Sequence, residues 1–411
     1  MARMTDSLAY ITVRTPFGFS EEFLLNELSM IHSLGVTLDI IPRSPQRFPI
    51  HLKAKRLAPF AHNLPLLNLP IFARLFLSAV KDSTKLRQTF SLICNSRNMD
   101  VFVRNLAVLP KCHYLTEYID WSQVAHIHAG WGTTPATMAL LLSRMLGISW
   151  SMTLHRGDIV QNNLLLEKFR SALFVRCISN QAREMALRIV GARFRDKTVV
   201  LHLGTEVPTR LNRAEPPATR FSIVSTGNLI PVKGHAFLLK ALAILKSRHK
   251  RHFNCRIFGD GPLKPSLVSS ASSLGLGEQV SFHGSISHEK LLQVYANGDV
   301  SAFVLPSIIT PEGEHEGIPV ALMEAMAYSI PIIATDTGAI GELVRPGAGV
   351  LVPPSNPEKL ANALINLMDF PHHARKLGVA GSKVVHNEFN LSRNSIRLLR
   401  HMGFEVRDKL I

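Results

Sequence analysis

Two carboxylates stand eight residues apart at the start of the segment 316–344, and their spacing suits a shared ligand. Glu316 lies in a turn bracketed by Gly and Pro, and Pro319 can open the helix that contains Glu324. Eight residues at about 100° each bring the second carboxylate about 80° past two full turns. Both side chains can therefore point toward one ligand.

The same segment offers two kinds of polar contact. Backbone N–H groups at a helix N-terminus attract phosphate, and a glutamate in the following turns can accept hydrogen bonds from sugar hydroxyls. A sugar nucleotide presents both groups. The alternative is that both glutamates are solvated or capping residues of an ordinary amphipathic helix. The ligand interpretation is favoured because Glu324 stands in the apolar run ALMEAMA, where an unpartnered carboxylate is costly.

Further motifs surround this segment in a fixed order. They are STGNLIPVKGHAFLLKAL (225–242), IFGDGPLKPSL (257–267), VSFHGSISHEKLLQVYANGDVSAFVLPS (280–307), PIIATDTG (331–338) and GVLVPPSNPEKLANAL (349–364). With the Glu-x7-Glu pattern they resemble retaining glycosyltransferase family 4 across residues 221–390. The N-terminal half resembles it more loosely, through FGFSEEFLLNEL (17–28), HIHAGWG (126–132) and TLHRGDI (153–159). That half is most similar to bacterial exopolysaccharide enzymes of the colanic-acid type.

The resemblance implies the GT-B architecture, an α/β fold in which two Rossmann-like, doubly wound domains face a cleft. It also implies an N-terminal acceptor domain over 1–208 and a nucleotide-sugar donor domain over 221–385. The stretch 209–220 is polar, contains a Pro-Pro pair and has no apolar period, so it is expected to be the linker between them. Residues 386–411 are expected to form a C-terminal helix that crosses back to the N-terminal domain. Short apolar strands alternate with helical stretches along the chain, as parallel α/β sheets require. The predicted strands are 10–16, 37–43, 125–130, 149–155, 173–179, 197–203, 221–227, 255–261, 279–284, 299–307, 330–336 and 349–354.

The resemblance assigns roles in the donor site as well. Glu324 matches the family carboxylate that binds the nucleotide ribose. Glu316 matches the one that contacts the donor sugar or supports its phosphate, beside the backbone N–H groups of Gly317 and Ile318. Lys233 matches the lysine that contacts the diphosphate, and the alternative is that it is a surface lysine on a loop.

One position departs from the family pattern. The family has an arginine after the glycine of the first donor motif, whereas here Gly227 is followed by Asn228, which can donate a hydrogen bond but carries no charge. We expect weaker clamping of the phosphates there. Ser307 is expected to border the nucleotide pocket, with a strand-end turn residue as the alternative. We interpret Glu312 and Glu314 as solvated loop residues.

In the first domain the candidates lie near the transferred sugar or the acceptor. His155 ends a strand in TLHRGD and matches the family histidine near the sugar; a structural histidine is the alternative. We expect His126 and His128 to alternate across their strand, so that only His128, nearer the carboxyl end, faces the cleft. Ser20 and Glu21 follow the first strand, where the family places an acceptor-facing loop.

The chemistry requires stabilisation of a departing diphosphate, and many transferases supply it with a metal held by Asp-x-Asp. The sequence contains no Asp-x-Asp, so cationic side chains and backbone donors are expected to act instead, with no metal and no other cofactor. A zinc site from His126, His128 and His155 is disfavoured because no matching Cys or carboxylate spacing accompanies them. Retention of configuration is implied by the resemblance alone, since no nucleophilic carboxylate for a double displacement is nominated.

The charge is basic and unevenly distributed. The chain has 46 Lys and Arg against 30 Asp and Glu, a net charge of +16. Residues 1–205 hold 24 basic and 13 acidic residues, a net of +11, and the remainder holds 22 and 17, a net of +5. Such an excess attracts anionic lipid head groups, lipid-diphosphate acceptors or nucleic acid. No nucleic-acid-binding motif is recognised, so no nucleic acid partner is expected.

The region 50–90 alternates basic and apolar stretches, so it can lie in a membrane interface; a core-packed helical pair with a solvated basic face is the alternative. Neither a signal peptide nor a transmembrane helix is expected, since Pro65, Pro70 and Arg74 interrupt the longest apolar run. The four cysteines have no metal or disulfide spacing, which indicates a reducing compartment. The expected location is cytoplasmic, with peripheral association at the inner face of the membrane.

Three classes of function remain open at this point. The favoured one is a retaining, metal-independent glycosyltransferase that moves a sugar from a nucleotide-sugar donor to a glycan or lipid-linked saccharide acceptor. A second is a nucleotide-sugar epimerase on the same architecture, which would isomerise the donor without an acceptor. A third is a basic, non-enzymatic protein that binds membrane or nucleic acid.

Overall fold

The computed structural model describes residues 7–17, 21–46, 52–81, 83–208 and 221–406. The chain divides into two compact units. Unit 1 consists of Met1–Leu203 with Leu391–Ile411, and unit 2 of Gly204–Asn390. The predicted linker 209–220 lies outside the described residues.

Unit 1 is built on a six-stranded sheet in which every pair of neighbouring strands is parallel. Its strands are β1 (Ser7–Thr12), β2 (Thr37–Pro42), β3 (Val124–Ala129), β4 (Trp150–Leu154), β5 (Val175–Cys177) and β6 (Thr198–Val200). Their order is β2-β1-β3-β4-β5-β6, so the direction of strand addition reverses between β1 and β3. All six residues of β1 are buried, as expected for a strand covered on both faces.

Helices cover this sheet and close its core. They are α1 (Glu22–Ser33), α2 (Leu52–Leu57), α3 (Leu69–Lys81), α4 (Ser83–Cys94), α5 (Met99–Tyr118), α6 (Thr134–Leu146), α7 (Arg156–Gln161), α8 (Leu165–Ser171) and α9 (Asn180–Val190). Helix α6 begins with Pro135 in its first turn and ends at Gly147, which has φ +75°. Those residues favour the start and the end of a helix respectively.

Unit 2 has its own parallel sheet of six strands, in the order β9-β8-β7-β10-β11-β12. The strands are β7 (Phe221–Thr226), β8 (Phe253–Phe258), β9 (Val280–Gly284), β10 (Ala302–Leu305), β11 (Ile332–Thr335) and β12 (Val350–Val352). Counted within the unit this is the Rossmann order 3-2-1-4-5-6, and the order reverses between β7 and β10. Ligands of such sheets bind at the carboxyl ends of the strands beside that reversal.

The helices of unit 2 follow its strands. They are α10 (His235–Ser247), α11 (Lys264–Ser273), α12 (His288–Ala296), α13 (Val320–Ala327), α14 (Ile340–Leu343), α15 (Pro357–Asp369) and α16 (Pro371–Glu388). The last helix of the chain, α17 (Leu391–His401), packs against α1 and belongs to unit 1.

The sequence-based prediction of two parallel α/β sheets is confirmed. Each of the twelve predicted strands overlaps an observed one, with ends that differ by a few residues. The helix expected to open at Pro319 begins one residue later, at Val320, and Pro319 is its N-cap. Among the described residues, no helix is both long enough and apolar enough to cross a bilayer.

Candidate functional site

The reversal point of the unit 2 sheet is formed by close backbone approaches that require glycine. Gly227 follows β7 and has φ +146°, and Gly259 follows β8 and has φ +133°. A Cβ on Gly259 would lie 2.0 Å from the carbonyl oxygen of Gly227. Gly234, with φ +65°, lies equally close to the chain after β10, since its Cβ would meet the carbonyl oxygen of Pro306 at 2.0 Å. These glycines let the loops after β7, β8 and β10 pack together.

Lys233 lies against this glycine-lined backbone. A Cβ on Gly227 would be 3.2 Å from the Cε of Lys233, so the lysine stem crosses the start of the loop after β7. Its Nζ forms an ion pair with Oε1 of Glu316 at 2.6 Å. The two side chains are 17% and 15% exposed, and the contact lacks the angles of a hydrogen bond to that oxygen. A partly exposed cation is thus held at the carboxyl end of β7.

The turn that carries Glu316 is fixed from a neighbouring loop. Gly338, after β11, has φ +55°, and a Cβ there would lie 1.8 Å from the carbonyl oxygen of Glu316. That carbonyl also contacts Nδ1 of His315 at 3.0 Å. Gly317 is exposed and Ile318 is half-buried, immediately before α13. The turn therefore places the N-terminus of α13 next to the Lys233–Glu316 pair in sequence and in space.

Glu324 lies inside α13 and is buried, with a partner that the sequence analysis missed. Nε2 of His288, the first residue of α12, contacts Oε1 of Glu324 at 2.7 Å. The side chain of His288 is about one-third exposed, so the pair reaches the surface of unit 2. The two residues are 36 positions apart, and no local spacing signals such a contact. The apolar run around Glu324 correctly indicated that its carboxylate needs a partner.

Several buried polar atoms at the strand ends of unit 2 have no hydrogen-bond partner within the described chain. They include the hydroxyls of Ser225, Ser307 and Thr337 and both ring nitrogens of His235. Ser307 is fully buried, and its carbonyl accepts a hydrogen bond from Oγ1 of Thr335. Burial, with a smaller contribution from Lys233, lowers the pKa of His235 to about 4. Buried polar groups normally have hydrogen-bond partners, so these atoms retain unused hydrogen-bonding capacity.

The remaining predicted donor residues occupy more open positions. Asn228 is exposed, and its carbonyl accepts a hydrogen bond from the N–H of Ile230, which fixes the loop backbone and leaves the side chain outside. Glu312 and Glu314 are exposed, which confirms their interpretation as solvated loop residues.

The acidic residue near the reversal point of the unit 1 sheet has a different environment. Glu21 is buried, and its two carboxylate oxygens accept five hydrogen bonds: from the N–H groups of Val13, Arg14 and Thr15, the hydroxyl of Thr15 and the indole of Trp131, at 2.7–3.1 Å. The carboxylate thereby ties the loop after β1 to the loop after β3. Its predicted contact with an acceptor remains a prediction, and Ser20 lies outside the described residues.

His155 follows β4 as the N-cap of α7. Asp158 accepts a hydrogen bond from the N–H of His155 at 2.9 Å and contacts Nδ1 of its ring at 3.2 Å. The ring packs against Trp131 with 4.2 Å between centroids and against Phe23 with 5.3 Å. Nε2 has no partner in the described chain. The imidazole is thus oriented through Nδ1, and its Nε2 is buried with unused hydrogen-bonding capacity.

The expectation that His126 and His128 point to opposite faces is wrong. Both contact the same hydroxyl, Oγ of Ser151, at 2.7 Å, because residues two apart in a strand share a face. The second nitrogen of His128 contacts Thr153, so both its ring nitrogens are occupied inside the sheet. Burial lowers the pKa of His126 to about 3 and that of His128 well below its ordinary value. The described residues contain no group of three His, Cys, Asp or Glu side chains arranged to hold a metal.

Comparison with known proteins gives relatives along part of the chain. Residues 209–384 match the model of the family "Glycosyl transferases group 1". "Putative colanic acid biosynthesis glycosyltransferase WcaL" of Escherichia coli is 34% identical over 201 residues, 48% of each chain. "Amylovoran biosynthesis glycosyltransferase AmsK" of Erwinia amylovora is 31% identical over 169 residues, 41% of each chain. The chain therefore spans less than half of the length of these curated relatives.

A solved structure matches along almost the whole length. Anabaena Alr3699/HepE, determined in complex with UDP, superposes with a TM-score of 0.71 over 97% of this chain and 99% of that one, at 14% identity. The likeness shows the fold of both units. Residues 209–384 are therefore similar to the glycosyl transferases group 1 family, in a chain whose two Rossmann-like units match GT-B glycosyltransferase structures in fold.

Proposed function

We propose that the protein is a retaining, metal-independent glycosyltransferase of the hexosyltransferase type. It moves a sugar from a nucleotide-sugar donor to a glycan or lipid-linked saccharide acceptor in polysaccharide biosynthesis. The observation that carries the proposal is the Lys233–Glu316 pair at the reversal point of the unit 2 sheet. It lies within the segment that matches glycosyl transferases group 1.

The donor phosphates are proposed to replace Glu316 as the partner of Lys233. An ammonium held against the backbone of Gly227 is placed to neutralise a diphosphate as it leaves, and the N–H groups of Gly317 and Ile318 add donors. Glu316, released from the lysine, then accepts from the sugar. Asn228 contributes at most a neutral hydrogen bond, so Lys233 carries most of the positive charge on that side.

Glu324 is proposed to accept hydrogen bonds from the nucleotide ribose. His288 contacts one of its oxygens and so holds the carboxylate in a fixed orientation, which reduces the ordering that binding requires. The unpartnered hydroxyls of Ser307 and Thr337 supply further polar contacts at the strand ends. The UDP complex of the Anabaena structure supports a nucleotide ligand for this fold.

In unit 1, His155 is proposed to contact the transferred sugar through its unpartnered Nε2, with Asp158 and Trp131 fixing the ring. No nucleophilic carboxylate is assigned. The proposed reaction takes place on one face of the sugar: the acceptor oxygen forms the new glycosidic bond, the bond to the diphosphate breaks, and the departing phosphate accepts the acceptor's proton. This sequence retains the configuration at the anomeric carbon without a covalent intermediate.

The proposed location is the cytoplasm, at the inner face of the membrane, where a lipid-linked acceptor would be found. The names of the relatives, which refer to colanic acid and amylovoran biosynthesis, support an extracellular polysaccharide as the product class. The basic excess of the N-terminal half supports an anionic acceptor or surface.

The first experiment is a thermal-stabilisation screen of UDP-, GDP- and ADP-sugars against the parent and Lys233→Ala. We expect one class of nucleotide sugar to raise the midpoint temperature of unfolding of the parent and to have little effect on that of the variant. Transfer is then followed with the stabilising donor, a lipid-linked saccharide acceptor and a chelator, and the anomeric configuration of the product is read by NMR. Turnover lost with chelator and restored by manganese contradicts metal independence, and isomerised donor without acceptor indicates an epimerase.

A further inference from the structure

Helix α3 of unit 1 is apolar on two opposite sides. Ile71 packs into the unit, whereas Leu69, Phe72, Phe76 and Leu77 are exposed, Leu69 by 83% and Phe76 by 71%. Successive helical residues are rotated by about 100°, so Leu69, Phe72 and Phe76 fall within about 60° of one another, on the side away from Ile71. A helix that is apolar all round is normally buried, so the outer side of α3 lacks the environment its residues favour.

This exposed side is part of a defined helix and not of a disordered tail. Oδ1 of Asn68 accepts a hydrogen bond from the N–H of Ile71 at 3.0 Å, as a helix N-cap does, and Pro70 occupies the first turn. Arg74, on the inner flank, forms an ion pair with Glu117 of α5. The helix is therefore anchored on unit 1 by its inner flank with its apolar face outward.

The surroundings of that face are cationic. Helices α3, α4 and α5 pack against one another, and the segment 69–104 contains six basic and two acidic residues, a net charge of +4. Arg87 on α4 and Arg97 before α5 are exposed. Further apolar side chains are exposed on the same two helices, namely Phe90, Met99 and Val103. Exposed apolar side chains together with exposed arginines on the neighbouring helix and loop match an interface that is apolar below and negatively charged above.

A bilayer surface fits this face better than a second copy of the chain does. Two copies would bring like charges together on proteins that each carry +16, which opposes association. Helix α3 has 13 residues, so at about 1.5 Å per residue it is about 20 Å long, short of the hydrocarbon core of a bilayer. Such a helix can lie in the plane of the interface but cannot span it.

We propose that the outer face of α3, formed by Leu69, Phe72, Phe76 and Leu77, inserts into the interface of an anionic phospholipid bilayer. Exposed cations of α4 and the loop before α5 contact the lipid head groups. The role of this contact, which is to bring the enzyme to a lipid-linked acceptor, rests on the function proposed above. Binding to lipid itself requires neither donor nor acceptor.

The test is co-sedimentation of the full chain with vesicles of phosphatidylcholine alone and of phosphatidylcholine with about 30% phosphatidylglycerol. We expect at least tenfold tighter binding to the anionic vesicles, weakened as salt is raised, since head-group attraction is screened. Phe72→Gln with Phe76→Gln should lower anionic-vesicle binding at least tenfold. Arg87→Gln should lower it by about fivefold, the factor that corresponds to one cation near such a surface.

Matched controls lie on unit 2. Phe370 is 60% exposed and Lys376 is exposed, so Phe370→Gln and Lys376→Gln likewise remove an exposed aromatic ring and an exposed positive charge, but on unit 2, and should leave vesicle binding unchanged. Nucleotide stabilisation without vesicles should be the same in all variants. If it is absent even in the parent while vesicle binding follows the pattern above, the proposed function fails and the lipid surface stands.

Three results would overturn the proposal. The first is a parent that binds neither type of vesicle. The second is vesicle binding that the double Phe variant and Phe370→Gln reduce equally. The third is a concentration-dependent dimer of the parent, measured by sedimentation equilibrium, that the double Phe variant abolishes, because the face would then be an interface between copies of the chain.

Discussion

The two units place acidic residues at the reversal points of their sheets, but they use them in opposite ways. In unit 1, Glu21 accepts five hydrogen bonds from its own chain and joins two loops. In unit 2, Glu316 makes one ion pair, with a lysine that remains within reach of solvent, and unpartnered hydroxyls lie at the neighbouring strand ends. A saturated carboxylate stabilises a fold, whereas an unsaturated one has capacity left for a ligand.

The cations of the two units differ in the same way as the carboxylates do. In unit 1, Nζ of Lys111 donates to the carbonyls of Pro42, Arg43 and Leu64, and burial lowers its pKa to about 7. Arg176 is fully buried and pairs with Glu27 at 2.6 Å. These charges are already compensated inside the unit. In unit 2, by contrast, Lys233 is partly exposed and forms an ion pair with one carboxylate, that of Glu316.

The largest expected effect is on the free energy of unfolding, when Glu21 and Glu316 are each replaced by alanine in separate variants. Glu21→Ala leaves five donors without their acceptor in a buried loop, and we expect it to lower the free energy of unfolding by about 4 kcal/mol. Glu316→Ala should cost less, about 1–2 kcal/mol, because it removes one ion pair from Lys233, whose ammonium can still be reached by water. Urea denaturation followed by tryptophan fluorescence and by circular dichroism measures both.

The fluorescence signal separates the units. The three tryptophans, Trp121, Trp131 and Trp150, all belong to unit 1. Glu21→Gln, which keeps the shape but loses the charge, should fall between the parent and Glu21→Ala. Equal destabilisation by Glu21→Ala and Glu316→Ala would contradict the distinction between a structural and a ligand-binding carboxylate.

Acid should destabilise unit 1 through its buried histidines. The pKa of His126 is about 3 in the folded chain and about 6.5 when exposed. Between those values the unfolded chain binds a proton that the folded chain does not, so stability falls as pH drops from about 6.5 toward 4, by up to about 3 kcal/mol. His126→Gln should reduce this loss, measured by tryptophan fluorescence at each pH. A pH profile identical to the parent's would exclude His126 as its origin.

Glu324→Ala tests the proposed ligand-binding role of a second carboxylate of unit 2. The carboxylate is proposed to accept from ribose hydroxyls, so the variant should lose about 2 kcal/mol of nucleotide affinity by calorimetry while retaining most of its stability. His288→Gln keeps a hydrogen-bond donor beside Glu324 and serves as the matched control, with a smaller loss expected. Nucleotide-induced stabilisation equal to that of the parent would remove Glu324 from the site.

The smallest expected effect is a gain. Asn228→Arg introduces the charge that the family pattern has at this position, and one charge-assisted hydrogen bond should strengthen binding of a nucleoside diphosphate by about 1 kcal/mol. Binding of the nucleoside without phosphates is the control and should not change. A variant with unaltered diphosphate affinity would show that the side chain at this exposed position does not reach the phosphates.

The sequence was sufficient for the fold because each strand is a short apolar run between turn residues, and all twelve such runs became strands. For Lys233 and Glu316 the sequence indicates only two separate roles, because the direct ion pair between them depends on how the loops after β7 and β10 pack together. His288 was missed because a contact between α12 and α13 depends on packing, not on spacing along the chain. The prediction for His126 and His128 was wrong for a different reason: side chains two residues apart in a strand point to the same face, not to opposite faces.

The same limit explains Glu21. From the sequence it is a polar residue after a strand, which fits an acceptor-facing loop as well as a structural anchor. The five donors that surround it are three backbone N–H groups, a hydroxyl and the indole of Trp131, which lies 110 residues away. Such a convergence depends on which loops meet, and no pattern within either loop encodes it.

Helix α17 sets the order in which the two units can be completed during synthesis of the chain. It follows unit 2 in the sequence but belongs to unit 1, where Leu398 and Leu399 are fully buried and Asn394 donates to the carbonyl of His202. A ribosome therefore releases most of unit 1 first, then the uninterrupted segment of unit 2, and only afterwards the helix that completes the first core. Unit 2 can therefore fold before unit 1 is complete, because a nascent chain that ends at residue 390 contains all of unit 2 but lacks α17.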